Sequence, residues 1–235
     1  ATGVIAAALP PAPAGAAGDM ELIDTHAHLD HEWFDDDRDA VVQRALAAGV
    51  VTIVTIGADV PTSEAAVQLA ETYPSVYAAV GIHPHDAKTA DEAAYRRLKE
   101  LAAHPKVVAV GEIGLDYYYD FSPREVQREV FVRQLQLARE TGLPFIIHNR
   151  DASEDVMAVL REHARGLPGV LHPCTGDAAM AAECMEMGWH ISLGGMFTFK
   201  NAGAVRDAVA EVPLERILLE TDAPYLTPVP LRGRR

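Results

Sequence analysis

Cysteine, basic charge and long apolar runs are all scarce in this chain, and each scarcity removes a class of protein. Only Cys174 and Cys184 occur among 235 residues, too few for a disulfide framework and wrongly spaced for a Cys-x-x-Cys zinc site. Lys and Arg number 20 against 34 Asp and Glu, a formal charge of -14. A protein that grips nucleic acid through a broad basic face needs the opposite balance, so any anionic substrate must be attracted locally. The tract Ala1–Gly18 is rich in Ala, Pro and Gly and has no Lys or Arg, so the charged start of a secretory signal is missing. Its apolar run before Pro10 is far too short to span a bilayer. Residues 1–19 read as a disordered tail ahead of one domain over 20–235, with the cytoplasm as the default compartment. There is also no Gly-x-Ser-x-Gly elbow, no Gly-rich phosphate loop and no internal repeat.

What is present is alternation. Hydrophobic residues make up 49% of the chain, enough for a globular core. Apolar runs rich in Val and Ile predict eight strands near 22–26, 50–56, 76–82, 106–112, 143–148, 169–172, 189–193 and 216–221. Segments of helical period near 37–48, 61–73, 91–103, 123–141, 152–164, 177–187 and 200–211 lie between them. Repeated βα units imply a parallel sheet, and eight of them a (β/α)8 TIM barrel with its active site at the C-terminal strand ends. The chain reaches Arg235 soon after the eighth strand, so the expected barrel lacks its eighth helix.

The strand ends carry the chemistry. His26 and His28 are two residues apart on the first strand and therefore share a face. Glu112 ends the fourth apolar run, His148 the fifth and His172 the sixth, while Glu220 and Asp222 share a face on the eighth. Any one of these alone is as easily a satisfied core residue or a helix cap. Four histidines and carboxylates gathered at one rim are not, because a charge there is costly unless paired or bound to metal. Imidazole mixed with carboxylate suits Zn, Mn, Fe or Co, with Mg less favoured.

Together His26, His28, Glu112, His148, His172 and Asp222 resemble the binuclear site of the amidohydrolase superfamily. Longer phrases narrow the likeness: Gly81-Ile-His-Pro-His85, Gly111-Glu-Ile-Gly-Leu-Asp-Tyr117, Ile147-His-Asn-Arg-Asp-Ala152, Thr198-Phe-Lys-Asn201 and Leu219-Glu-Thr-Asp-Ala-Pro-Tyr-Leu226. As an ordered set they strongly resemble the TatD family of metal-dependent deoxyribonucleases, over about residues 20–235. That resemblance implies a (β/α)8 fold and two divalent ions, one held mainly by His26 and His28 and the other by His148 and His172. Glu112 and an activated hydroxide would bridge them, and Asp222 would bind metal and manage the nucleophile's proton. The implied reaction is phosphodiester hydrolysis of DNA, at ends or in single strands. Two dications outweigh Glu112, Asp222 and one hydroxide by about one positive charge, which attracts a phosphate locally. The chain departs from the family at His172-Pro173-Cys174-Thr175-Gly176, where proline restricts the backbone of His172 and removes a donor.

Around this set, His83 is expected to face the site and hydrogen-bond a substrate phosphate. Arg150, Lys200 and Arg232 fall on top-face loops as candidate phosphate clamps, or simply as solvated cations. The run Tyr117-Tyr118-Tyr119 is a candidate base-stacking platform or a loop anchor. Asp24 suggests packing rather than ligation, and His85 has no assigned role. His31, His104, His163 and His190 are expected away from the rim, and Cys174 as a small buried residue. Two other readings stay open: a metal-dependent ester or amide hydrolase such as a deacylase or lactonase, since the same ligands serve carbonyl chemistry, and a non-catalytic binding barrel.

Overall fold

A computed structural model describes residues 21–172 and 178–234; the Ala/Pro-rich tract, Pro173 and Cys174 lie outside them. Eight strands form one parallel sheet in sequence order: β1 Leu22–Ala27, β2 Val50–Ile56, β3 Val76–Val80, β4 Val107–Asp116, β5 Phe145–Arg150, β6 Gly169–His172, β7 His190–Leu193 and β8 Ile217–Leu219. Seven α-helices alternate with them: α1 Arg38–Ala47, α2 Val60–Thr72, α3 Glu92–Ala102, α4 Arg124–Thr141, α5 Ser153–His163, α6 Ala178–Glu186 and α7 Gly203–Val209. This is the expected (β/α)8 barrel. Among the described residues no helix follows β8, and outward-facing Leu219 is 52% exposed. None of the described helices is long and apolar enough to cross a membrane.

Val- and Ile-rich strands are stable here because both of their faces are covered. Ile146 has the parity of His148 and points inward, joining Val54, Ile56, Tyr77, Ala79 and Val108 in a plug below the barrel mouth. Phe145 and Ile147 point outward into the larger core beneath the helices, with Phe131, Leu135 and Leu160. Burying each such side chain contributes about 1.5–3 kcal/mol. Helix starts are specified locally: Asp59 caps α2 in a reciprocal box with Thr62, and Asp91 caps α3. Gly142, at φ 70°, ends α4 in the left-handed region, where glycine meets no Cβ penalty.

The barrel closes differently from the way it propagates. Among the described residues the bridge at this seam is an isolated one, from Ala27 to Ala223 in the segment after β8. The seam is carried instead by His28 N donating to Ala223 O (2.7 Å), Asp222 N donating to His26 O (2.8 Å) and Thr25 Oγ1 donating to Leu219 O (2.9 Å). Asp24 reinforces it, accepting from Thr221 N at 3.0 Å and Thr221 Oγ1 at 2.6 Å. Burial outweighs these bonds and pushes the Asp24 carboxyl up to about 6.

β4 runs four residues past its expected end at Glu112. The extension depends on Gly114, at φ 142°, where an added Cβ would lie 2.0 Å from His148 O. Only glycine lets β4 and β5 approach there, and the consequence is that Asp116 joins the rim.

Candidate metal centre

The strand ends bring His26, His28, Glu112, His148, His172 and Asp222 together at the mouth, as the sequence predicts, with His83 beside them. Glu112 is central and buried. Its Oε2 lies 3.5 Å from His26 Nε2, and its Oε1 lies 2.7 Å from His148 Nδ1, 3.6 Å from His172 Nε2 and 3.8 Å from His83 Nε2. Asp222 Oδ1 lies 3.4 Å from His28 Nε2 and 3.8 Å from His26 Nε2. It takes this place because its backbone is left-handed, φ 57°, a conformation Asp tolerates better than most residues. The turn swings the carboxylate off β8 and over β1.

Around this inner set, a second layer of acceptors fixes which ring nitrogen faces inward. His172 Nδ1 donates to Glu220 Oε2 at 2.5 Å, and Ser192 Oγ donates to the same oxygen. His148 Nε2 donates to Asp116 Oδ2 at 3.0 Å, and His28 Nδ1 donates to Ile56 O at 3.2 Å. In each case the outer nitrogen is held by an acceptor and the inner one faces the carboxylates, where it would offer a lone pair to an ion that displaced its proton, the arrangement that orients metal-binding imidazoles. His26 is buried with neither ring nitrogen hydrogen-bonded, which is costly unless something else takes its lone pair. Three overlapping sets have ligand atoms close enough to share an ion: His26, His172 and Asp222; His26, His28 and Glu112; His83, Glu112 and His148. The donor set therefore fits divalent metal.

His83 differs from the rest. Its Nδ1 accepts the backbone N–H of His85 at 3.1 Å, so its proton sits on Nε2 and points inward, 3.2 Å from His148 Nδ1. Burial first, then the neighbouring His148, holds it well below the ordinary histidine range. His83 thus presents a neutral N–H donor, with its other nitrogen already taken by the backbone.

The remaining electrostatics follow from crowding. Burial alone would keep Glu112 protonated, but His172, His83 and His148 outweigh it and hold the carboxyl well below its usual range. Asp116 and Asp222 are likewise pulled down against burial, by His148 with His85 and by His28 respectively. Conversely, burial would lower His172, but Glu220 and Glu112 overcome it and push it up to about 9. Without metal the cluster holds protons that an ion must displace.

Several residues at the site carried no role in the sequence reading. Asp116, fully buried as a side chain, accepts from His85 Nε2 (2.9 Å), His148 Nε2, Tyr118 N (3.0 Å) and Tyr119 N (2.8 Å). Its even spacing from Glu112 was the available signal. Glu220 was placed on the right face but given no task. His31, expected away from the rim, packs 5.4 Å from Tyr225, which lies 5.9 Å from His28. It is part of the mouth because η-type turn Glu32–Phe34 folds back over β1. Two buried glutamines on the inner face of α4 complete the support. Gln134 bonds both Ile82 N (2.7 Å) and Ile82 O (2.9 Å), beside His83. Gln127 accepts from Asp116 N (2.9 Å) and donates to Asp116 O (3.1 Å). Of the candidate clamps, Arg150 lies with its guanidinium 4.1 Å over the Tyr118 ring, and Arg232 lies 3.9 Å over Phe199. Lys200 sits in the exposed turn after β7.

An eight-stranded parallel barrel with imidazoles and carboxylates converging at its C-terminal mouth defines a TIM barrel with a candidate metal centre, and comparison with known proteins narrows it. The TatD related DNase family model matches residues 23–235, so this chain belongs to that family. It is 50% identical over 215 residues to the uncharacterized metal-dependent hydrolase YabD of Bacillus subtilis, covering 91% of this chain and 84% of that protein. It is 38% identical to the 3'-5' ssDNA/RNA exonuclease TatD of Klebsiella pneumoniae, covering 91% and 82%. Among solved structures, the TatD homolog YjjV of Escherichia coli superposes with TM-score 0.84 at 35% identity, covering 91% of this chain and 83% of that one.

Proposed function

We propose that this protein is a metal-dependent phosphodiesterase, a deoxyribonuclease that removes nucleotides from DNA ends or single strands. Its kinship with a family whose named members include metal-dependent hydrolases and a single-strand exonuclease supports the reading. The observation that carries it is the contrast among the imidazoles: His28, His148 and His172 each have the outer nitrogen tied to an oxygen and the inner one turned toward the carboxylates, while His83 has its Nδ1 taken by a backbone N–H and its Nε2 proton turned inward.

In this reading His26, His28 and Asp222 would hold one divalent ion and His148 and His172 the other, with Glu112 available to both. Bound ions supply Lewis acidity, easing the ionisation of water and offsetting charge that develops on phosphate. Asp222, held ionised at the mouth, accepts the proton of the attacking water and orients it. His83 Nε2–H donates to a phosphoryl oxygen, steadying the charge gathered there as water oxygen bonds to phosphorus and the strand oxygen departs. Lys200 and Arg232 reach the strand from the rim. Arg150, stacked by its face, keeps its in-plane N–H groups for phosphate.

The test is elemental analysis of the purified protein, then assay of the metal-loaded form on labelled single-stranded DNA and on a chromogenic ester panel. Turnover of DNA that chelation abolishes is expected. Lys200→Ala and Arg150→Ala should raise KM for DNA by about tenfold, consistent with charge-assisted contacts of 1.5–3 kcal/mol, with metal content unchanged. Ester turnover without DNA turnover would transfer the site to carbonyl chemistry.

A further inference from the structure

Exposed aromatic rings are few on this chain, and most of them stand at the barrel mouth. Tyr118, Tyr119 and Phe121 follow β4, with Tyr118 and Phe121 more than half exposed. Tyr119 stacks on Phe121 at 5.1 Å, and the Arg150 guanidinium covers Tyr118 at 4.1 Å. His85 joins this shelf to the metal-type cluster, 4.9 Å from Phe121 and bonded to Asp116. A second shelf is built by Trp33, 54% exposed, and Tyr225, 6.3 Å apart, with Tyr225 5.9 Å from His28. Trp33, Tyr225, Arg232 and Arg234 line a cavity of about 500 Å³.

The two shelves do not adjoin. In a barrel ordered β1 to β8, the β4–β5 rim is diametrically opposite the β8–β1 rim, and the cluster lies between them. Solvent-facing rings cost free energy unless something covers them, and a nucleobase covers a ring irrespective of sequence. Charge points the same way. Arg38, Arg97, Arg124, Arg128, Arg133 and Arg161 each pair with a carboxylate. Among the described residues, Arg150 and Arg232 at the shelves have no carboxylate within ion-pair reach, a property they share with Arg96, Arg139, Arg165, Arg206 and Arg216 elsewhere, and they differ from those in lying over aromatic rings.

We propose that the opposed shelves bind the two nucleobases flanking the scissile phosphate, one on Tyr118–Tyr119–Phe121 and the other on Trp33–Tyr225, splaying them apart across the cluster. This rests on the phosphodiesterase reading and deepens it, because it supplies a reason for strand selection. Neighbouring bases in a duplex stay stacked and paired, so they cannot reach opposite rims. The shelves therefore require an unpaired strand, DNA or RNA alike.

The test pairs protein and substrate deletions. Trp33→Ala and Tyr118→Ala/Tyr119→Ala are assayed on short strands with all bases present, and on strands lacking the base on one side or the other of the cleaved phosphate. On intact strands each variant should raise KM by about tenfold, within the range for one base–aromatic stack. Each penalty should vanish when one particular base is missing, and a different base for each shelf. Trp33→Phe should restore most of the loss. Fluorescence provides a readout without turnover: of the two tryptophans Trp33 is exposed and Trp189 only 2% exposed. Oligonucleotide added in chelator should quench the parent and leave Trp33→Phe unquenched. Equal losses on intact and base-free strands, or both shelves responding to the same base, would overturn the inference while leaving the hydrolase reading intact. A parent that cleaves no strand would remove both.

Discussion

The two sides of the barrel mouth reach the same chemistry by different construction. On the β3–β5 side, β4 has ten residues, all buried, and the 18-residue α4 lies against it. Gln127 and Gln134 reach from that helix to grip the backbone at Asp116 and Ile82. On the β6–β8 side, the strands have four, four and three residues, and α7 only seven. There the site is tied from within, by Ser192 to Glu220, Glu220 to His172, and Asp24 to Thr221. Each side contributes one outer carboxylate and one imidazole oriented by it. The lesson is that a metal-type site needs its second layer fixed, whether by a helix outside or by strand side chains inside.

The strongest challenge to this comparison is a residue belonging to neither support. Asp222→Asn should leave metal largely bound yet slow turnover by about 10²–10⁴, the usual loss for a proton-transfer group. His26→Ala and His148→Ala should lose metal itself. Metal analysis beside single-turnover rates separates these cases, and full activity in Asp222→Asn would remove it from the mechanism.

Next in size are the matched outer carboxylates. Asp116→Asn and Glu220→Gln should each weaken metal binding by about 10- to 100-fold, measured by competition with a chromophoric chelator. Only Glu220→Gln should also lower the melting temperature of the metal-free protein, because its side lacks helical bracing. Equal melting shifts would erase the distinction.

The braces themselves come third. Gln134→Leu leaves Ile82 N and O buried without partners, at a cost of about 1–3 kcal/mol. Ser192→Ala removes one of two donors to Glu220 and should cost about 1 kcal/mol. Denaturant titration ranks them, and the reverse order would place the weight of the mouth on the shorter strands.

The remaining effect is one of pH. His172 is raised to about 9 in the folded chain against an ordinary value near 6.5. Its proton therefore stabilises the metal-free fold fully below pH 6.5, and that stability is lost as pH rises through 9. The metal-free melting temperature should fall across this window. Glu220→Gln, which removes the strongest of the partners raising His172, should flatten the slope.

What the sequence made legible was whatever ended an apolar run with a chemistry-bearing side chain. His26, His28, Glu112, His148, His172 and Asp222 all did so, and periodicity placed them on one rim. Asp116 escaped because Glu112 broke the apolar run of β4, and a carboxylate four residues later looked like loop. Gln127 and Gln134 escaped for a related reason: polar residues on an amphipathic helix are ordinarily solvated, and only the fold shows that these two face inward. Arg150 and Arg232 were expected on top-face loops, whereas Arg150 is the last residue of β5, and sequence spacing holds no information on the rings they lie over. The seam between β1 and β8 was equally hidden, since it is made by side chains 194 and 197 residues apart.

Asp116 bears on how such a protein can change over generations. One carboxylate gathers the His148 ring, the His85 ring and the backbone of Tyr118 and Tyr119. Variation in that loop is therefore not free, since a mutation that reshapes what it touches also disturbs a residue of the candidate metal centre. On the Trp33–Tyr225 side the tie runs through the backbone, Tyr225 N donating to Asp222 O at 2.8 Å, and a side chain can be exchanged there without losing that bond. Lineages exploring new substrates should accumulate change there first, keeping the Asp116 side as the inherited constant.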